Sequence, residues 1–156
     1  MKRQAYRFSV AISLVVLAVV LSRMTMGAYH PSPDPEARFE IEAVKVKQDR
    51  GFAWVEAHLK KSGQKDHDLK QRVFLVTADG KRHEPADTTF AGRPERGFSE
   101  IWFKFWLEMK ELEGGLKLTL NGGTLMLKTS HAIPELGNRG ERVFKSSNWE
   151  KSWTGF

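Results

Sequence analysis

F-S-E-I-W-F-K-F-W-L occupies positions 98 to 107. Side chains of an extended chain alternate between two faces, so Ile101, Phe103, Phe105 and Leu107 fall on one side and Trp102, Lys104 and Trp106 on the other. A period of two with aromatic residues on both sides predicts an interior β-strand: one face buried in a core, the other at least partly covered. The rest of the chain has to supply strands that flank and cover it.

Those strands are legible on both sides. Upstream, 38–48 reads as a first strand whose apolar parity changes near Ala43, from Phe39 and Ile41 to Val44 and Val46, as a β-bulge requires. Asp49-Arg50-Gly51 is a turn. In 52–61, Ala53, Val55, Ala57 and Leu59 face inward, and Phe52, Trp54, Glu56 and His58 face outward. A polar loop, 62–68, leads to a third strand over 69–77. Asp79-Gly80 suits the positive φ angles of a type I′ hairpin turn. The return over 82–86 carries Pro85, which places it at a sheet edge. Gly92, Pro94 and Gly97 make 91–97 an irregular loop. Downstream, 108–113 fits one helical turn across the end of a sandwich. Leu116, Leu118 and Leu120 alternate with polar residues, Asn121-Gly122-Gly123 turns the chain, and 124–128 closes a second hairpin. About seven short strands with frequent turn signals predict an all-β, antiparallel sandwich over 38–130. Trp149, Trp153 and Phe156 mark 131–156 as an aromatic tail expected to pack on that domain.

The first residues carry a different message. Lys2, Arg3 and Arg7 precede a charge-free apolar run from Phe8 to Ser22, which Arg23 ends. That is the pattern of an export signal, and 1–28 is read as one N-terminal helix, either a retained anchor or a cleaved signal peptide. Basic residues stay on the cytoplasmic side, so the remainder is expected in the periplasm or outside the cell. Pro31, Pro33 and Pro35 stiffen 29–37 into a spacer.

The formal charge of +6 shrinks accordingly. Four basic residues belong to the targeting segment, and the other 21 face 19 acidic ones, leaving +2. They are interspersed rather than clustered, so nucleic acid is not an expected partner. The chain has no cysteine, which excludes disulfides, thiolate metal sites, a thiol nucleophile and a lipid-modified cysteine anchor.

H-L-K-K-S-G-Q-K-D, from His58 to Asp66, and V-F-L-V-T-A-D-G-K-R-H-E-P, from Val73 to Pro85, resemble the immunoglobulin-like domains of bacterial cell-envelope proteins. In those a strand ends in a polar Lys-x-Gly-type loop and a later strand enters an Asp-Gly hairpin. The likeness covers roughly 39–128 and consists mostly of turn chemistry. It implies a fold and a location, and it brings no catalytic residues. Many such exported proteins are tethered through a lipidated cysteine; here the N-terminal helix would have to anchor instead.

No reaction chemistry stands out. There is no Gly-x-Ser-x-Gly elbow, no paired acid and base, and no phosphate-binding glycine loop opening a helix. Asp66-His67-Asp68 is the most ligand-like cluster, with His58 and His83 as distant candidates, but a polar run between strands more often marks a solvated loop. No metal or other cofactor is expected. The outward row of Trp102, Lys104 and Trp106, with Trp54 on a neighbouring strand, is the candidate binding surface. Exposed, it would stack on a sugar ring or an envelope protein; covered by the tail, it would be an extension of the core. A membrane-anchored, non-enzymatic structural or protein-interaction module is the expected function, with a carbohydrate- or wall-binding module using the Trp face as the alternative.

Overall fold

The computed structural model describes residues 34–93 and 95–145. The expected N-terminal helix over 1–28 and the aromatic positions Trp149, Trp153 and Phe156 lie outside these residues. Among the described residues no helix is long and apolar enough to cross a membrane.

Nine strands are described: β1 (Phe39–Asp49), β2 (Phe52–Lys61), β3 (Phe74–Val76), β4 (Arg82–His83), β5 (Asp87–Arg93), β6 (Gly97–Glu108), β7 (Leu116–Leu120), β8 (Gly123–Lys128) and β9 (Glu141–Lys145). They form two antiparallel sheets, ordered β5-β6-β2-β1-β9 and β4-β3-β7-β8. The opening stretch is β6, held between β2 and β5, and its parity is the expected one: Ile101, Phe103, Phe105 and Leu107 are buried. They share one apolar core with Val44 and Val46 of β1, the four inward residues of β2, and Phe144 of β9. Leu75, Leu118, Leu125 and Leu127 close it from the second sheet. The alternation of apolar and polar residues in β2 and β6 is what lets one face bury while the other stays polar and aromatic.

Several local expectations hold for stated reasons. The parity change in β1 is a bulge between Ile41 and Ala43 that leaves Glu42 without an opposite residue on β2. The turn after β6 is a short 3-10 helix, Met109–Leu112, closed by a capping box in which Glu111 reaches back to the Glu108 N–H at 2.8 Å.

Others are corrected. The third strand does not start at Leu69, which is 65% exposed. Asp68 instead turns the chain: its carboxylate accepts from Lys70 N–H at 3.0 Å and its carbonyl from Gln71 N–H at 3.0 Å, so side-chain turn chemistry overrides β propensity until Phe74. The hairpin at Asp79-Gly80 is not type I′. Gly80 has φ +85° while Asp79 stays at negative φ, and the Gly80 N–H bonds Thr77 C=O at 3.0 Å. This is a type I turn followed by one left-handed residue, the three-residue hairpin loop. The type I′ turn lies instead at Asn121-Gly122, where φ is 54° and 85° between paired Leu120 and Gly123. Residues 87–93 form β5, so the expected loop over 91–97 begins inside a strand, and 87–90, left unassigned from sequence, is strand as well. Gly92 sits at its bulge because a Cβ there would come within 2.2 Å of Gly97 O, so the glycine signals a close approach within a strand.

Two segments extend the expected sandwich. Residues 34–37 dock rather than hang free: Asp34 caps a short 3-10 turn over Pro35–Ala37, accepts from Thr124 N–H at 3.0 Å, and Ala37 is buried. Beyond residue 130 the chain adds β9 alongside β1, with Val44 opposite Phe144.

Candidate functional site

Antiparallel pairing of β2 with β6 puts Trp54 directly opposite Trp106, Glu56 opposite Lys104 and His58 opposite Trp102. All four expected binding residues therefore share the outer face of the five-stranded sheet, each half-buried. Trp54 and Trp106 pack with centroids 4.4 Å apart at 55°, and Lys104 places its ammonium 4.6 Å from the Trp54 ring centroid. Trp102 stands two positions away along β6, stacked on His58 at 4.4 Å and 10°.

Two further members were not assigned to the binding surface from sequence. Phe52 stacks on Trp106 at 5.1 Å and is 41% exposed. His58 couples the Trp102 end to charge, with Nε2 2.6 Å from the Glu100 carboxylate. Their shared parity with Trp54 was the available signal; strand register was needed to place them beside Trp106 and Trp102. The resulting surface has an aromatic end, Phe52-Trp106-Trp54, and a His-Trp end. Lys104 lies between them and acidic groups flank it. Several ring faces are already occupied by neighbours, so the surface offers edges and shallow relief more than one open plate.

The ligand-like cluster takes a different role. His67 is buried, and its Nδ1 is 2.8 Å from Asn121 Oδ1. The same oxygen accepts from Asp68 N–H at 2.8 Å, so His67 Nδ1–H must donate to it. Asn121 Nδ2 donates to Ala37 C=O at 2.7 Å. Asp66 accepts from Lys61 Nζ at 2.5 Å. These are structural ties. His58 lies on the outer sheet face, and His83 contacts Glu111 at 3.4 Å. Among the described residues no group of three potential ligands gathers for a metal.

Two buried charges complete the electrostatics. Burial alone would raise the Glu111 carboxyl, but the Lys81 ammonium at 2.5 Å, the Glu108 N–H and nearby His83 together hold it below the usual range. Burial pushes the Lys128 ammonium down to about 8, against a smaller pull from Glu113. Its Nζ donates to Gly114 C=O at 2.7 Å and Ser130 C=O at 2.6 Å, tying β8 to the loop before β7. On the second sheet, an open depression beside Phe74 is lined by Arg72, Arg82 and Thr119. Arg82 covers the Phe74 ring at 4.0 Å and Arg72 reaches Glu84 at 3.4 Å, so its charges are directed at neighbours rather than at a common point.

No protein-family model, curated protein or solved structure matches this chain.

Proposed function

We propose that the protein is a membrane-anchored, extracytoplasmic immunoglobulin-like domain that binds another envelope protein through the outer face of β2 and β6, without catalysing a reaction. The observation that carries the binding part is the register of those strands. It concentrates Trp54, Trp102, Trp106, Phe52 and Lys104 on the sheet face opposite the core. Trp is among the residue types most enriched in binding hot spots. The immunoglobulin-like part is supported by strand order: β1-β2-β6-β5 opposite β4-β3-β7-β8 follows the A-B-E-D and C′-C-F-G arrangement of such domains. The anchor and its location rest on the Lys2-Arg3-Arg7 flank and the apolar run to Ser22.

A protein partner is preferred to a sugar because sugar stacking needs an open ring face. Trp102 is stacked on His58 and Lys104 overlies Trp54. Exposed Phe52 favours the glycan reading at one end only.

The test uses the full chain in native membranes with a photo-crosslinker replacing Lys104. A defined protein adduct is expected, reduced about thirty-fold or more by Trp102→Ala or Trp106→Ala while the melting temperature holds. Unfolding of both variants would remove the binding face. Adducts to wall glycan alone would select the sugar. Extraction of the chain by alkaline carbonate would overturn the anchor.

A further inference from the structure

The outer edge of β9 has the form of half of a symmetric interface. In the five-stranded sheet β9 is terminal, and among the described residues no strand lies beyond it. The Gln48 N–H bonds Gly140 C=O at 2.7 Å, which sets the phase of the β1–β9 ladder. Antiparallel bonding alternates along the chain, so the main-chain groups of Arg142 and Phe144 turn towards β1. Those of Glu141, Val143 and Lys145 turn outwards. The same three side chains share the outer sheet face, and Val143 is 51% exposed there. The other edges are managed differently. β4 has two residues and is followed by Pro85, β5 is bulged at Gly92, and β8 begins against the docked Ala37 segment.

We infer that β9 pairs antiparallel with β9 of a second copy of this chain, about a two-fold axis through Val143. Glu141-Arg142-Val143-Phe144-Lys145 reads as a charge palindrome in that register. Glu141 lies opposite Lys145 of the partner subunit, Val143 opposite the partner's Val143, and every outward N–H and C=O finds its complement. Registers centred on 142 or 144 also pair outward main-chain groups, but they set Glu141 against Val143 or Val143 against Lys145 and leave no Glu opposite a Lys. Registers centred on 141 or 145 would set Glu against Glu or Lys against Lys. All of these registers pair outward main-chain groups, and only the Val143 register also sets Glu opposite Lys on both sides of the axis. Lys45, 3.6 Å from Glu141, extends the alternation of charge inward from the seam. The product is one continuous ten-stranded sheet carrying both aromatic faces on the same side. A single strand pair is a small contact, so association is expected to be reversible.

The experiment uses the full chain in mild detergent, by sedimentation from about 1 to 100 µM, a range suited to a small, reversible contact. Reversible dimerisation is expected. Val143→Pro removes an outward donor without touching the β1 ladder, and should weaken dimerisation at least tenfold while the melting temperature holds. Glu141→Lys should weaken it comparably, and Glu141→Lys with Lys145→Glu should restore it. Because the chain lacks cysteine, Val143→Cys should give a disulfide-linked dimer on mild oxidation. Glu141→Cys should not, since its copies would stand roughly 14 Å apart, beyond disulfide reach. A monomer across the whole range overturns the inference, whatever covers the edge instead. So does a dimer that survives Val143→Pro, or a Glu141→Cys variant that links as readily as Val143→Cys.

Discussion

Phe103 and Lys128 show how differently single residues can be read. The position of Phe103 follows from alternation alone, and it is buried between Ala57 and Thr88 on the paired strands, beneath β6. Phe103→Ala should leave a cavity and cost about 3–5 kcal/mol, seen as a large drop in the urea midpoint at unchanged slope. A midpoint near wild type would mean the side chain is not in the core. Lys128 sits in an alternating strand where a surface lysine would be expected, yet it is fully buried. Its ammonium pKa falls to about 8 from 10.5, so the unfolded state binds more protons between those values. The penalty for burying the charge is therefore complete below pH 8 and relieved as pH rises towards 10.5. Measured as the stability difference from Lys128→Met, wild type should gain on the variant between pH 7.5 and 9.5. A pH-independent difference would refute the shift. His67 was equally illegible, because its partner Asn121 is 54 residues away and nothing local announces a hydrogen bond across that separation.

At the scale of elements, β2, β6, β7 and the β1 bulge were readable, because burial on one face writes a period of two into the sequence. The misreadings arose where side-chain or close-packing constraints replaced that period. Asp68 turned what looked like the start of β3, and Gly92 disguised the end of β5 as loop. The hairpin after β3 was found, but its type was wrong, since Asp-Gly serves both the two-residue loop and the three-residue loop with glycine last. The glycine requirement is the same in either. Gly80→Val has open space around its added Cβ, so its cost comes from the φ of +85° alone. It should destabilise by about 1 kcal/mol or more, read from thermal melts, and Gly80→Ala should cost less than Gly80→Val. Equal stability of Gly80→Val and wild type would require the loop to have rearranged.

For the whole molecule, the two-sheet class was legible and the count of strands was not. β9 is only five residues long, follows a stretch broken by Pro134, Gly137 and Gly140, and has a single core residue, Phe144. Periodicity has little to act on in such a segment. Its removal tests how integral it is. A chain ending at Gly140 loses the burial of Phe144 and uncovers the β1 edge, so its melting temperature should fall by about 10 °C or more. A truncated chain that melts like wild type would make β9 an accessory. The candidate face was legible as a set of residues, since parity assigns Trp54, Trp102 and Trp106 to one side. Its geometry was not, because which residue stands opposite which depends on register.

The ties of the Asp34–Ala37 segment have a consequence for the order in which the chain can acquire its structure. Ala37 is bonded by Asn121 and Asp34 by Thr124, 84 and 90 residues later. While the chain is being synthesised, β1 has only β2 for company until nearly everything else has emerged. Such non-local closure makes folding slow, on the order of milliseconds to seconds. A segment at 34–37 that is tied down only by residues 121 and 124 keeps its end of the domain open until the second sheet is present.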